Sequence, residues 1–170
     1  MTSDEALMLA FLRGSREAFD ELFARYRQPL YGYFRRRLDS RERAEDLTQE
    51  TFLAVLRATE RYQPRALLRT YLYGIAFKLL AVERRRLARA DVPADPVCDP
   101  HTDETLWVRQ ALGRLEPIER EVLMLREYEQ LSYAEIAAVL RLPVNTVRSR
   151  LFRSRMALKG FLCIPSNPKN

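Results

Sequence analysis

Five polar or aromatic side chains recur at helical spacing near the C-terminal end of the sequence. Positions i, i+3, i+4, i+7 and i+8 are occupied by Asn145, Arg148, Ser149, Phe152 and Arg153. This spacing places all five on one side of a helix. Arginine can pair with guanine, asparagine with adenine, and phenylalanine can pack against a thymine methyl group. The chemistry available to this row is therefore the reading of bases in a major groove.

The segment that must position this base-reading row has the pattern of a helix-turn-helix. Ser132 and Glu135 predict a capping box that opens a short helix, and Pro143 predicts its end. Four apolar side chains of the second helix are predicted to face inward: Val144, Val147, Leu151 and Leu158. Three cations flank the row for contacts with phosphates: Arg150, Arg155 and Lys159. A merely solvated basic helix is the alternative interpretation.

A helix predicted earlier in the chain, within residues 41–58, carries an acidic row instead of a basic one. Its inward positions are predicted to be Ala44, Leu47, Thr51 and Val55. The outward positions are then Asp46, Gln49, Glu50 and Leu53. Carboxylates around an exposed leucine suit a protein partner with basic side chains and do not suit DNA. Taken alone, such a row is also typical of an ordinary solvated helix face.

A third helix, predicted within residues 65–88, combines an apolar stripe with an aromatic and cationic flank. The predicted stripe consists of Leu68, Leu72, Ile75, Leu79 and Val82. Beside it Tyr71, Lys78 and Arg85 recur every seven residues, next to Arg84 and Arg86. Aromatic and cationic groups thus share one exposed side of this helix, with core packing as the alternative for its aromatic rings.

The distribution of charge predicts two domains. The chain has 170 residues and a net charge of +6, and 26 of its 29 basic residues are arginines. Residues 61–90 carry 8 basic and 1 acidic groups, and residues 141–170 carry 7 and 0. Between them residues 91–104 carry 5 acidic groups. We therefore predict an N-terminal domain over 1–90, an acidic linker over 91–104 and a helix-turn-helix domain over 105–170.

The fold class predicted is all-α, with two small helical domains. Only five glycines are available for tight turns, and further helices are predicted over 15–38 and 41–58 with a break at Asp39 and Ser40. No nucleophile constellation or phosphate loop is evident, so no enzymatic activity is expected. Cys98, His101 and Cys163 lack the paired spacing of a zinc site, so no metal or cofactor is expected.

The location expected for the protein is the cytoplasm, without membrane contact. The start of the chain has no pattern of a secretory signal, and nothing suggests a disulfide framework. The most apolar stretch, residues 71–82, is too short to span a bilayer.

The chain resembles the extracytoplasmic-function group of bacterial sigma factors at motifs in both halves. The family's "AED-x-x-QE-x-F" helix is matched from Ala44 to Phe52, and its "W-L-x-x-I-A" helix from Tyr71 to Ala76. The family's "REV-x-x-L" and "LSY-x-EIA" segments are matched by Arg120 to Leu125 and by Leu131 to Ala137. The stretch "P-V-x-T-V-R-S-R-L" follows at Pro143 to Leu151.

This resemblance implies a dissociable subunit that makes core RNA polymerase promoter-specific and that an anti-sigma factor commonly holds inactive. It implies that Asp46, Gln49, Glu50, Leu53 and Phe52 contact the clamp helices of the largest polymerase subunit. The C-terminal row would read the minus-thirty-five element as duplex, with Thr146 on a phosphate. The melted minus-ten strand would be held by Tyr62, Gln63, Arg65, Arg69, Tyr71, Lys78, Arg84 and Arg85, and the linker would thread toward the active-site channel.

The resemblance has departures that concern promoter recognition. Tyr71 stands where the family has tryptophan, and Asn145 replaces a glycine at the start of the recognition helix. Arg141 occupies the turn position usually held by glycine, where a left-handed backbone would cost roughly 1 kcal/mol. The competing function is a stand-alone dimeric helix-turn-helix regulator that needs no polymerase. A helical adaptor that binds only proteins would leave the basic C-terminal block without a partner.

Overall fold

The computed structural model describes residues 2–58, 62, 67–90 and 103–162. These residues contain eight α-helices and no strand. The all-α prediction is confirmed for this part of the chain. In order, the helices are α1 (Asp4–Leu12), α2 (Arg16–Arg35), α3 (Arg41–Arg57), α4 (Leu68–Arg89), α5 (Asp103–Gly113), α6 (Pro117–Glu127), α7 (Tyr133–Leu140) and α8 (Val144–Leu162). None of these described helices is long and apolar enough to cross a membrane.

The first three helices begin at serine caps. The hydroxyls of Ser3, Ser15 and Ser40 each accept a hydrogen bond, at 3.2 Å, from a backbone N–H three residues further on. The predicted break between α2 and α3 is thereby confirmed. Helix α4 has no cap from its own preceding residue. Instead, the carboxylate of Glu5 in α1, a helix that the sequence did not predict, accepts the N–H of Leu68 at 3.3 Å.

The buried face of α4 differs from the predicted stripe. Leu68 and Leu72 are buried, whereas Ile75 and Leu79 are only half-buried and Val82 is 57% exposed. The buried face continues instead through Tyr73, Ala76, Leu80 and Glu83. The prediction was wrong at the C-terminal end of α4, because it placed Val82 inside and Glu83 outside. Hydrogen bonds from Arg43 and Arg86 hold the Glu83 carboxylate in the interior instead.

The chain forms two halves that pack against each other. Residues 2–90 form the N-terminal half, in which α1 to α4 enclose Leu30, Phe34 and Leu47. Residues 103–162 form the C-terminal half, whose core includes Leu125 and Ile136. Helix α4 lies directly against α7 of the C-terminal half.

Helix α5 begins within the segment predicted as a linker. Its first residue is Asp103, whereas the linker was predicted to run through residue 104. The rest of that segment, residues 91–102, lies outside the described residues, as do Cys98, His101 and Cys163.

Candidate functional site

The base-reading row lies on the exposed side of α8. Val147 and Leu151 are buried on the opposite side and fix the rotation of the helix. The exposed members of the row are Asn145, Arg148, Ser149, Phe152 and Arg153. Phe152 is 66% exposed, which leaves an apolar ring available to a thymine methyl group. Val144 was expected to face inward but is exposed. It is the first residue of α8 and precedes Val147, the first buried residue of that helix.

The turn that leads into α8 is defined by its caps. The predicted capping box is confirmed: Glu135 N donates to Ser132 Oγ at 3.2 Å, and Ser132 N donates to Glu135 Oε2 at 2.7 Å. Helix α7 ends at Arg141, which has φ 55° and ψ 46°. The left-handed turn is therefore kept although the residue is not glycine, and its strain is stored beside the recognition helix.

Local contacts hold several side chains of the row in place. Arg148 Nη1 donates to Asn145 Oδ1 at 3.4 Å, and Ser149 Oγ donates to the carbonyl of Thr146 at 3.0 Å. Arg153 Nε lies 3.3 Å from Glu119 Oε1 of α6. Because Arg153 remains largely exposed, its guanidinium is oriented by α6 without being withdrawn from solvent.

The acidic row occupies the outer face of α3. Asp46, Gln49 and Glu50 are exposed, and Leu53 is 44% exposed. The predicted inward set, Ala44, Leu47, Thr51 and Val55, is buried. Helical periodicity thus places the row correctly, with an exposed leucine among polar side chains.

Phe52 does not belong to that exposed row. It is 5% exposed and packs against the rings of Phe19 and Phe23, at centroid distances of 6.3 and 4.7 Å. The expectation that Phe52 contacts a partner protein is therefore corrected. The residue lies one position before Leu53, about 100° around the helix, and its ring supports the row from beneath.

Arg43 links the acidic row to α4. Its Nη1 donates to Asp46 Oδ2 at 3.1 Å, and its guanidinium also bonds to the buried carboxylate of Glu83. Hydrogen bonds from Arg86 and from Arg43 lower the pKa of Glu83 to about 2. The same bond to Glu83 raises the pKa of Arg43. Glu83 is therefore ionised and holds α3 and α4 in a fixed relative position at neutral pH.

The residues predicted for single-stranded DNA are only partly brought together. Lys78, Arg84 and Arg85 are exposed on α4, and Tyr71 is half-buried at the start of that helix. The ring of Tyr71 meets the ring of Tyr62 edge to face at 5.3 Å, and burial raises the pKa of both phenols. Gln63 and Arg65 lie outside the described residues. Tyr73, for which core packing was the alternative, is buried.

Two members of this set face carboxylates of the C-terminal half. Arg69 donates to Glu135 through Nε at 3.0 Å and Nη2 at 2.8 Å. Arg84 Nη2 lies 3.9 Å from Glu121 Oε2. Burial alone would raise the pKa of Glu135, but bonds from Arg69 and Ser132 lower it below its ordinary value. The pKa of Arg69 is raised in turn by its bonds to Glu135.

Comparison with known proteins identifies the family. The family models for Sigma-70 region 2 and Sigma-70 region 4 match residues 22–90 and 105–158. The RNA polymerase sigma-H factor of Pseudomonas aeruginosa is 32% identical over an alignment of 176 positions, which covers 91% of each chain. The chain belongs to the sigma-70 family. The ECF RNA polymerase sigma-E factor of Haemophilus influenzae is 31% identical, with 93% of this chain and 94% of that one covered. This sigma factor is therefore an extracytoplasmic-function member that directs promoter-specific initiation of transcription.

Two solved structures have the same fold. CnrH in complex with the cytosolic domain of CnrY superimposes with a TM-score of 0.72 at 27% identity, covering 95% of this sigma factor and 97% of CnrH. The sigma factor RpoE of Bartonella quintana, solved with the anti-sigma factor NepR, gives a TM-score of 0.71 at 20% identity. That alignment covers 86% of this chain and 98% of RpoE.

Sequence reasoning missed a buried polar network between the halves of this sigma factor. Arg37, which lies two residues after the end of α2, donates from Nε to Glu121 Oε1 at 3.0 Å and from Nη1 to Glu129 Oε1 at 3.4 Å. Arg36 Nη2 donates to the same oxygen of Glu129 at 2.6 Å, and the Tyr73 hydroxyl donates to Glu129 Oε2 at 3.2 Å. No local pattern announces these contacts, because the arginines lie 84 to 93 positions from their glutamates.

Proposed function

We propose that this sigma factor docks on core RNA polymerase through the exposed row of α3: Asp46, Gln49, Glu50 and Leu53. The clamp helices of the largest polymerase subunit would meet the row, with Phe52 supporting it from the core. The proposal is carried by one observation, that an acidic row with an exposed leucine occupies α3 of a chain whose net charge is +6. Such a row attracts a basic protein surface and repels DNA.

The C-terminal half would read the minus-thirty-five element as duplex DNA. Asn145, Arg148, Ser149, Phe152 and Arg153 form an exposed polar and aromatic face on α8, which suits base edges in a major groove. Thr146 is half-buried at the first turn of the helix, a position from which side chains commonly contact phosphates. The departure at Asn145 adds a side chain able to pair with adenine.

The N-terminal half would hold the melted minus-ten strand. Single strands bind to aromatic platforms beside cationic grooves. The rings of Tyr62 and Tyr71 form such a platform, and α4 supplies cations along its length. The full set proposed for this strand is Tyr62, Gln63, Arg65, Arg69, Tyr71, Lys78, Arg84 and Arg85.

The proposal also covers partners and location. Promoter DNA and core polymerase are the primary partners, in the cytoplasm, and the acidic linker predicted over 91–104 would run toward the active-site channel. An anti-sigma factor is a further proposed partner, since similar sigma factors have been solved with protein partners, CnrH with CnrY and RpoE with NepR.

Co-elution with core polymerase tests the docking proposal. The purified sigma factor is mixed with bacterial core RNA polymerase and separated by size exclusion at a salt concentration that screens loose basic association. We expect a stoichiometric complex for the wild type. We expect no complex for Asp46→Arg combined with Glu50→Arg. The matched control reverses two exposed carboxylates elsewhere, Asp20→Arg with Glu127→Arg, and should bind like the wild type.

Two outcomes would contradict the docking proposal. One is retained binding by the α3 variant, and the other is a wild-type protein that elutes as a free dimer. The dimer would favour a stand-alone regulator.

A further inference from the structure

Two arginines of α8 form ion pairs with glutamates of α6. Arg153 Nε lies 3.3 Å from Glu119 Oε1, and Arg155 Nη2 lies 2.6 Å from Glu127 Oε1. The side chain of Glu127 is 52% exposed, so its pair has the character of an ordinary surface salt bridge. The side chain of Glu119 is only 13% exposed. The pair at Arg153 therefore joins a sheltered carboxylate to a member of the base-reading row.

The backbone of Glu119 is fixed against α8 by a buried hydroxyl group. Ser154, the neighbour of Arg153 in the chain, is fully buried. Its Oγ lies 3.1 Å from the carbonyl oxygen of Glu119 and 2.6 Å from that of Arg150 in the preceding turn of α8. The backbone and the carboxylate of Glu119 thus contact adjacent residues of the recognition helix. The position of Glu119 along α8 is therefore set independently of the ion pair itself.

The start of α6 is also tied to α5. The guanidinium of Arg120, the residue after Glu119, donates to three carbonyl oxygens at 2.8 to 3.2 Å, those of Leu112, Gly113 and Leu115. The last carbonyls of a helix have no partner within it, so this arginine completes the C-terminal end of α5. Glu119 lies in the first turn of α6, where the helix dipole stabilises negative charge. Its carboxylate is consequently held at a rigid position.

The geometry of the pair leaves the terminal nitrogens of Arg153 for DNA. A guanidinium has one N–H group on Nε and four on its two terminal nitrogens. The contact with Glu119 is made at Nε. Bidentate pairing with guanine needs two N–H groups, directed at O6 and N7 of the base. Because the Arg153 side chain is 58% exposed, its terminal nitrogens can supply both while Nε stays paired.

A carboxylate beside a base-reading arginine improves discrimination between bases in two ways. It restricts the rotamers of a long side chain, so less conformational entropy is lost when the guanidinium meets a base. It also repels phosphates, which compete with the base edges for the same cation. The first effect depends on where the carboxylate lies, and the second depends on its charge.

We propose that Glu119 is a positioning residue that sets base specificity through Arg153. It holds Arg153 toward the base edges and away from the DNA backbone, although it lies on α6 and outside the recognition helix. This inference rests on the proposed base reading by Arg153, and it adds the residue on which that discrimination depends. The pair of Arg155 with Glu127 has no such role, because Arg155 flanks the row and its partner is exposed.

The test compares variants of the two glutamates in the full chain. Glu119→Gln keeps the size of the side chain and removes its charge. Glu119→Asp keeps the charge and withdraws it by one methylene group. Glu127→Gln is the matched control, since it removes a charge from the other ion pair between the same two helices. Circular dichroism and thermal unfolding establish that each variant retains the fold.

Base discrimination is measured on the complex of each variant with bacterial core RNA polymerase. Duplexes randomised over one helical turn, about 10 base pairs, are offered as a pool, and the bound fraction is sequenced. The position read by Arg153 is the one whose preference disappears in Arg153→Ala. There we expect both Glu119 variants to lose at least about five-fold of the discrimination, and Glu127→Gln to stay within about two-fold of the wild type. Glu119→Gln and Glu127→Gln should raise affinity for the whole pool by a similar factor, because each removes one negative charge.

A double variant shows whether Glu119 acts through Arg153. Combined with Arg153→Ala, Glu119→Gln should change the preference at that position no further. Retained discrimination there in both Glu119 variants would overturn the inference, as would an equal loss at every position, which reports a structural defect. The base-reading function fails in a different way, because Arg153→Ala would then leave the preference at every position unchanged.

Discussion

The carboxylate of Glu83 on α4 accepts two hydrogen bonds from Arg43 on α3, with Nε–Oε1 at 3.0 Å and Nη2–Oε2 at 2.8 Å. Arg86 bonds to the same carboxylate from the next turn of α4. The acidic row of α3 is therefore anchored to the helix proposed to hold the minus-ten strand. Because two guanidiniums share one buried acceptor, the loss of its charge affects both helices.

Glu83→Gln should lower the free energy of unfolding at pH 7. Lowering the pKa from 4.5 to about 2 corresponds to at most ~3 kcal/mol. Glutamine keeps part of the hydrogen bonding, and Arg86 is half-exposed, so we expect a loss of roughly 1 to 2 kcal/mol. Urea unfolding followed by circular dichroism measures this difference, and Glu127→Gln, at an exposed ion pair, should change stability by less than about 0.5 kcal/mol.

The effect of Glu83→Gln should depend on pH in a defined direction. The pKa of Glu83 is lower in the folded chain than in the unfolded chain, so its stabilising contribution is fully present above about pH 4.5. That contribution disappears as the pH falls toward 2, where the carboxyl group becomes protonated in both states. Unfolding curves of the wild type and the variant should converge over this range. A difference of constant size from pH 7 to pH 2.5 would show that the charge of Glu83 is not what stabilises the fold.

The neighbouring residues Phe52 and Leu53 should separate stability from docking. Phe52→Ala removes a ring packed between α2 and α3 and should cost about 3 to 5 kcal/mol. Leu53→Ala should change stability by less than about 0.5 kcal/mol but weaken polymerase binding by ten-fold or more, roughly 1.4 kcal/mol. Thermal unfolding and a polymerase titration measure the two effects. If Leu53→Ala lost much stability, or if it bound polymerase as tightly as the wild type does, the proposed role of the row would be contradicted.

Arg141→Gly should stabilise the chain by about 0.5 to 1 kcal/mol. The left-handed backbone at this residue strains a side chain with a Cβ atom, and glycine removes that strain. The greater freedom of glycine in the unfolded state offsets part of this gain. Gln130→Gly is a second site with positive φ, 54°, and should behave alike. Arg148→Gly, inside α8, should destabilise the chain by about 1 kcal/mol. Chemical denaturation of the three variants measures these shifts, and destabilisation by Arg141→Gly would show that this side chain makes a compensating contact.

Arg153→Ala should weaken promoter recognition at one base pair and leave polymerase binding intact. A bidentate arginine contact with guanine discriminates by about 1 to 3 kcal/mol. Arg153→Lys should recover charge without the planar fork and thus little of the discrimination. Lys159→Ala is the comparison, because loss of a phosphate contact weakens all sequences equally. Binding to duplexes changed one base pair at a time separates the two patterns, and a uniform loss for Arg153→Ala would remove it from the base-reading row.

Local signals predicted much of the fold and of the two exposed rows. The capping box at Ser132 and Glu135 depends on residues three positions apart, and the faces of α3 and α8 follow from the period of 3.6 residues. Helix α1 gave no comparable signal, since only Leu7 and Met8 are buried in it. Its place is fixed by contacts with α2 and α4, which sequence spacing does not reveal.

Long-range charge pairing is what the sequence could not show. Hydropathy favours Val82 over Glu83 inside the core, and this preference is reversed by the pairing of Glu83 with Arg86 and with the distant Arg43. Arg37 lies in a run of three arginines that is typical of a solvated helix end, yet it is buried against Glu121, 84 positions away. Each member of such a pair is costly to bury alone. The pairing is therefore a property of the assembled halves. Arg69 was assigned to DNA from the family resemblance, and its pairing with Glu135, which the sequence indicates only as part of a helix cap, was not foreseen.

Residues 91–102 join the two halves covalently, so the contact between them is intramolecular. A short connection gives two joined surfaces an effective concentration on the order of millimolar. An interface with a dissociation constant of only about 1 mM between separate halves would then be closed half of the time. The arginine–glutamate contact can thus be individually weak and still dominate in the intact chain. Cleavage of one peptide bond within residues 91–102 would dilute the halves apart at micromolar protein, although each retains its own buried core.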